Sequence, residues 1–195
     1  MDWVTLFDGE TLNGWAVTGN PEGWTASDGT IFCKGEKGKY LYYTEDQYQN
    51  FELMLGFKHD PQVNSGVFFR WTDLENPVQT GIEIQILDTY GREPATVKCC
   101  GAVYDLQGPT RNTCKQAGEW NEMTLLARDN VIQVTLNEEQ IVDMDLNRWT
   151  TPGMNPDGTP NKFKRAFREM VEEGYIGLQD HGGKIWFRGL KIRKI

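Results

Sequence analysis

Apolar and polar side chains alternate along most of the chain. In Phe51-Glu52-Leu53-Met54-Leu55-Gly56-Phe57-Lys58, the residues Phe51, Leu53, Leu55 and Phe57 fall on one face of an extended strand. Ile82-Glu83-Ile84-Gln85-Ile86 alternates just as strictly, and Val67-Phe68-Phe69-Arg70-Trp71 is an aromatic-rich strand. Met123 to Ala127 and Val131 to Leu136 read as a hairpin across Arg128-Asp129-Asn130, and Gln140 to Met144 follows the turn Asn137-Glu138-Glu139. Tyr175 to Gln179 and Ile185 to Ile192 close the chain on either side of His181-Gly182-Gly183. Turns such as Asp8-Gly9, Asn13-Gly14 and Asp28-Gly29 punctuate the runs. Strands that are apolar on one face only, separated by tight turns, predict two antiparallel sheets packed together, with an outer face free to bind.

One segment breaks this rhythm. Residues 150 to 160 are rich in Pro, Gly, Asn and Thr and read as loop. Phe163, Phe167, Met170 and Val171 then recur at helical spacing, with Asn161 as N-cap and Gly174 as stop. This predicts a short amphipathic helix over 161–173 that covers one end of the sandwich.

The 195 residues suit a single domain spanning 1–195. The formal net charge of -8 repels phosphate backbones and anionic lipid, which argues against nucleic acid as a partner. No apolar run approaches the roughly 20 residues of a membrane helix. The opening Met1-Asp2-Trp3-Val4-Thr5 lacks a basic and apolar leader, so the expectation is either a cytoplasmic protein or one whose signal has been trimmed. Cys33, Cys99, Cys100 and Cys114 form no CxxC pair. They read as small buried or free thiols, with a bridge from Cys99 or Cys100 to Cys114 as the alternative.

Candidate chemistry gathers on four stretches. On the strand around Ile84, Glu83 and Gln85 share the face opposite the isoleucines, where a carboxylate can move protons and an amide can bond a hydroxyl; a solvated strand Glu is the plainer reading. Gln179 and His181 share a face at the other end, and a His before Gly-Gly can approach a ligand closely, although a turn histidine bonded to backbone explains it too. In Asn64-Ser65-Gly66-Val67-Phe68-Phe69-Arg70, Arg70 shares a face with Phe68 and can pair with Glu83 or orient a substrate oxygen; Arg188 invites the same readings. Trp120, in Gly118-Glu119-Trp120-Asn121-Glu122, can stack on a sugar or simply fill space. No phosphate-binding loop, dinucleotide fingerprint, HExxH or GxSxG is present.

These stretches, with Leu6-Phe7-Asp8-Gly9, Leu12-Asn13-Gly14-Trp15 and Gly101-Ala102-Val103-Tyr104-Asp105-Leu106, follow one another in an order that resembles the 3-keto-disaccharide hydrolase-like domain family, from about Trp3 to the C-terminus. The resemblance implies an all-β, concanavalin A-like jelly-roll sandwich, bacterial export, and cleavage of glycosides oxidised at C3. Carried over by motif, it implies a site of Asn64, Arg70, Glu83, Gln85, Tyr104, Gln179 and His181, with a carbohydrate as partner. In that scheme His181 serves as base or acid with Glu83 as its partner, and Arg70 with Asn64 stabilises an enolate. No cofactor is required, and a divalent metal on Glu83 and His181 is an alternative to part of the Arg70 role. The competing expectation is a non-catalytic carbohydrate-binding module on the same face. A direct glycosidase would want two facing carboxylates, and only Glu119 offers itself beside Glu83. The 161–173 segment and Asn137-Glu138, where glycine commonly follows the asparagine, depart from the family pattern.

Overall fold

A computed structural model describes residues 2–195; Met1 lies outside them. Thirteen strands form in chain order: β1 (Val4–Thr5), β2 (Trp15–Val17), β3 (Trp24–Ser27), β4 (Thr30–Cys33), β5 (Tyr40–Tyr43), β6 (Phe51–His59), β7 (Asn64–Trp71), β8 (Ile82–Leu87), β9 (Asn121–Arg128), β10 (Val131–Leu136), β11 (Glu139–Asp145), β12 (Tyr175–Gln179) and β13 (Ile185–Lys194). They build two antiparallel sheets. The larger has eight strands in the order β11-β10-β9-β6-β13-β4-β3, with β1 added on β13; the smaller has five, β2-β5-β12-β7-β8. The apolar faces meet as the alternation demands. Phe51, Leu53, Leu55 and Phe57 of the large sheet pack in one core with Val67, Phe69, Ile82, Ile84, Ile86, Ile176 and Leu178 of the small one. The result is an all-β jelly-roll sandwich. All four cysteines are buried and unbridged. No described helix is long and apolar enough to cross a membrane.

The 161–173 segment is not a continuous helix; it holds a single 3-10 turn, Phe167–Glu169. Its backbone N–H groups are claimed elsewhere. Lys162 donates to Asp105, Phe163 to the Asn161 side chain, Lys164 to Gln79 and Arg168 to the Trp149 carbonyl. With these donors engaged, no i to i−4 ladder can form. Phe163, Phe167 and Met170 are nevertheless buried, so the spacing reported burial rather than helicity.

Two local features position the site. First, β8 would leave a bare sheet edge. The long connection after it folds back along that edge: Gln85 N–H reaches the Ala102 carbonyl, Gly101 N–H the Gln85 carbonyl and Tyr104 N–H the Glu83 carbonyl. Tyr104 is thereby carried to Glu83. Second, β7 is bulged. Tyr175 pairs with Trp71 and Gly177 with Phe68, so one β12 residue faces both Phe69 and Arg70. Arg70 takes a positive φ of 49°, and the two residues after Phe69 exchange faces. Trp71, which strict alternation would set on the face of Val67 and Phe69, packs on the outer face against Tyr40, Tyr42 and Phe68. A short helical turn, α1 (Pro77–Thr80), and Gly81 cover this aromatic layer.

Candidate active site

A cavity of about 220 Å3 opens on the outer face of the small sheet. Its floor comes from β7, β8 and β12. Gly177, Phe68 and Glu83 are register partners across the three strands, and Gly66 pairs with Gln85. Gly66 supplies the free space. A Cβ there would stand 2.5 Å from Glu83 Oε1, so only glycine lets the Glu83 carboxyl lie over the floor. Tyr40, Gln85 and Gln179 flank it, Asn64 and His181 stand at one end, and Tyr104, Val78 and Lys162 close the other sides.

Burial sets the electrostatics. It pushes the Glu83 carboxyl from an ordinary 4.5 up to about 7, while the Lys162 ammonium pulls it back down. The Tyr40 and Tyr104 phenols are likewise raised, mainly by burial, with the Glu83 charge adding to the effect. Gln85 and Gln179 are only 3% and 7% exposed. The Gln179 amide N–H reaches Tyr40 Oη at 3.4 Å, but neither side-chain carbonyl finds a donor. Buried amides with unmet hydrogen bonds are uncommon in folded proteins. Here two of them line one cavity, which suits a hydroxylated ligand.

His181 is held from two directions. Its Nδ1 lies 3.2 Å from Asn64 Nδ2. The Asn64 amide donates to Nδ1 of a neutral ring and, turned over, accepts from Nδ1–H of an imidazolium. Asp180 then bolts the turn down, accepting from Gly182 N–H at 3.0 Å and from Gly38 N–H at 2.7 Å. Gly182 and Gly183 both take positive φ, 95° and 86°, as this turn requires.

Six of the expected site residues therefore meet: Asn64, Glu83, Gln85, Tyr104, Gln179 and His181. Three do not. Arg70 is fully buried on the far side of the bulge, where Nε donates to the Gln49 carbonyl at 2.9 Å and Nη2 to Asn50 Oδ1 at 3.3 Å. Arg188 and Trp120 belong to the outer face of the large sheet, across the sandwich. There Arg188 pairs with Glu122 at 2.7 Å and stacks 3.9 Å over the Trp120 ring, with Lys58 beside it. The side chains that sequence reasoning missed are Tyr40, Val78 and Lys162. Tyr40 and Tyr42 do alternate in Tyr40-Leu41-Tyr42-Tyr43, a signal for an aromatic outer face. Lys162 sat inside the expected helix.

Glu119 lies outside the cavity, and among the described residues Glu83 is the one carboxyl that lines it. Among the described residues, no three His, Cys, Asp or Glu side chains are grouped to hold a metal ion. A roomier cleft of about 490 Å3, between Arg148 and Gly158, has neither a raised carboxyl nor an unpartnered buried amide.

Known proteins extend this picture. A Bacteroides thetaiotaomicron 3-keto-disaccharide hydrolase is 25% identical to the chain over 225 residues, covering 98% of this chain and 78% of that protein. A Parabacteroides distasonis protein with a provisional glycosyl hydrolase assignment has a crystal structure that superposes with a TM-score of 0.89, at 36% identity and over all of both chains. The carbohydrate-binding module CBM66 of Bacillus subtilis shares the fold, with a TM-score of 0.50 at 15% identity over 97% of this chain and 94% of that one. Residues 2–193 match the 3-keto-alpha-glucoside-1,2-lyase-like domain, and the chain belongs to that family.

Proposed function

We propose that the protein cleaves glycosides whose sugar already carries a ketone at C3, by elimination of the aglycone followed by addition of water. The observation that carries this reading is Glu83, a single carboxyl over the cavity floor, raised to about 7 by its burial. A base poised near neutrality suits removal of a weakly acidic proton. The C2–H of an ordinary sugar is far too weak an acid, but beside a C3 ketone its loss gives an enolate. Direct glycosidases instead work with two carboxyls, typically about 5 to 9.5 Å apart, and this cavity has one.

The steps follow from the residues. Glu83 carboxylate takes the C2 proton, and the electron pair of that bond moves towards the ketone, leaving negative charge on O3. The pair then returns to form C1=C2 as the C1–O bond breaks. His181, as an imidazolium oriented by Asn64, gives a proton to the departing oxygen. Water adds at C1 and gives its proton to the now neutral His181, while the protonated Glu83 returns its proton to C2, so the net change is hydrolysis and both groups are restored. Gln85 and Gln179 hold ring hydroxyls with their unspent hydrogen-bonding capacity. A cavity of about 220 Å3 is smaller than the roughly 300 Å3 at which drug-sized sites begin, and fits one sugar ring.

The test is aglycone release from a chromogenic 3-keto-glucoside. Glu83→Gln and His181→Ala are each expected to lower kcat by roughly 100-fold or more with unchanged thermal melting at about pH 4. Full activity in both variants would remove these residues from the mechanism. Sugar binding that persists in Glu83→Gln, with no release by the unmodified protein, would point to a binding module.

A further inference from the structure

Removal of the C2 proton leaves charge on O3, and a low-dielectric cavity makes an unmet charge costly. Arg70 cannot meet it, because its guanidinium is buried against Gln49 and Asn50. We infer that Lys162 is the catalytic group that stabilises the enolate oxygen, an assignment that rests on the elimination reading. Lys162 arrives on the connection between β11 and β12, and its ammonium sits 4.3 Å over the Tyr104 ring at the cavity mouth. It makes no hydrogen bond or ion pair with any described residue through that group. Glu83 and Lys162 line the same cavity of about 220 Å3 without forming an ion pair, so both are free to meet a bound sugar.

The backbone around Lys162 is fixed, although the side chain is exposed. Its N–H donates to Asp105 Oδ2 at 3.0 Å and its carbonyl accepts from Gln79 Nε2 at 3.2 Å. Gln79 Oε1 also accepts from Lys164 N–H at 2.9 Å. One glutamine thus grips the strap on both sides of Phe163, whose ring is buried edge-on to Phe167 at 4.8 Å. Asp105 is the neighbour of Tyr104, so the cation and the ring beneath it are set by one turn. Three donors and no acceptor make an ammonium suited to an oxyanion and useless as the base. Besides Glu83 and Lys162, the titratable groups in the cavity lining are His181 and the Tyr40 and Tyr104 phenols, and burial raises both phenols so that they stay neutral near pH 7.

The experiment compares Lys162→Met and Lys162→Arg with the unmodified protein on a chromogenic 3-keto-glucoside across pH. Lys162→Met is expected to lose roughly 100- to 1,000-fold in kcat with a much smaller change in KM. Its activity should also rise at higher pH than normal, because Glu83 has lost a neighbouring positive charge. Lys162→Arg should recover part of the rate and return the rise towards its original position. Turnover in Lys162→Met within threefold of normal, with an unmoved pH profile, would overturn the assignment and leave the elimination reading standing. No turnover by the unmodified protein on any 3-keto-glucoside would overturn both.

Discussion

Glu83, the base of the proposed reaction, works against the stability of its own fold. Its folded value of about 7 lies above the ordinary 4.5, so the folded chain holds this proton more tightly than the unfolded chain. Its contribution is therefore most favourable below pH 4.5, falls as pH rises from 4.5 to 7, and levels off above 7. A shift of that size corresponds to about 3 kcal/mol. Glu83→Gln should accordingly stabilise the protein by up to about 3 kcal/mol at pH 8 and by almost nothing at pH 4, as read by denaturant melts at the two values. An equal effect at both would mean that Glu83 is not desolvated. Arg70 leads to the reverse expectation, because its guanidinium is bonded to Gln49 and Asn50 and does not line the cavity. Burial pushes its guanidinium down to about 10, yet it serves to tie β7 to the Gln49-Asn50 turn. Arg70→Ala should cost at least about 2 kcal/mol through the packing and hydrogen bonds lost, while kcat per folded molecule stays within a few-fold. A selective collapse of kcat would contradict this placement.

At the scale of elements, alternation in the sequence named the right faces wherever a strand was regular. Glu83 and Gln85 were read on the face opposite Ile82, Ile84 and Ile86, and they stand there. The reading failed where one residue broke the register. Nothing in Phe68-Phe69-Arg70-Trp71 announces a bulge, because any of these residues can occupy a strand, and one extra residue turned Arg70 away and brought Trp71 round. The 161–173 segment failed differently. Its apolar spacing was real, but tertiary donors and acceptors on Asp105, Gln79 and Trp149 outbid the helix, and these partners lie far away in sequence. The β10–β11 turn adds an independent test. Asn137 and Glu138 both take positive φ, 52° and 71°, as a two-residue hairpin turn between Leu136 and Glu139 requires. Glutamate is strained there and glycine is not, so Glu138→Gly should raise stability by about 0.5–1 kcal/mol. A loss of stability in chemical denaturation would mean that Glu138 has favourable contacts outweighing its backbone strain.

Across the whole molecule, the sandwich keeps two outer faces for different uses. The outer face of the large sheet covers itself, with Lys58 over the Trp120 and Trp186 rings, Arg188 over Trp120 and Glu122 paired with Arg188. The outer face of the small sheet is roofed by α1, the Tyr104 turn and the Lys162 strap, and this roof turns an open sheet into a cavity. Composition and periodicity could identify the two sheets, and the ordered motifs could identify six of the cavity residues. They could not identify which segments roof the face, since that depends on long connections folding back over strands far away in the chain. Lys162 was hidden for that reason, and so was the division of Trp120 and Arg188 from the site.

In the proposed reaction the ketone makes the chemistry possible, and Glu83 takes the proton it acidifies. The most direct measurement is aglycone release from a chromogenic 3-keto-glucoside and from its unoxidised parent, under identical conditions near neutral pH. Release is expected from the keto compound alone, abolished in Glu83→Gln. Comparable release from the unoxidised parent would contradict it, because no enolate can form there.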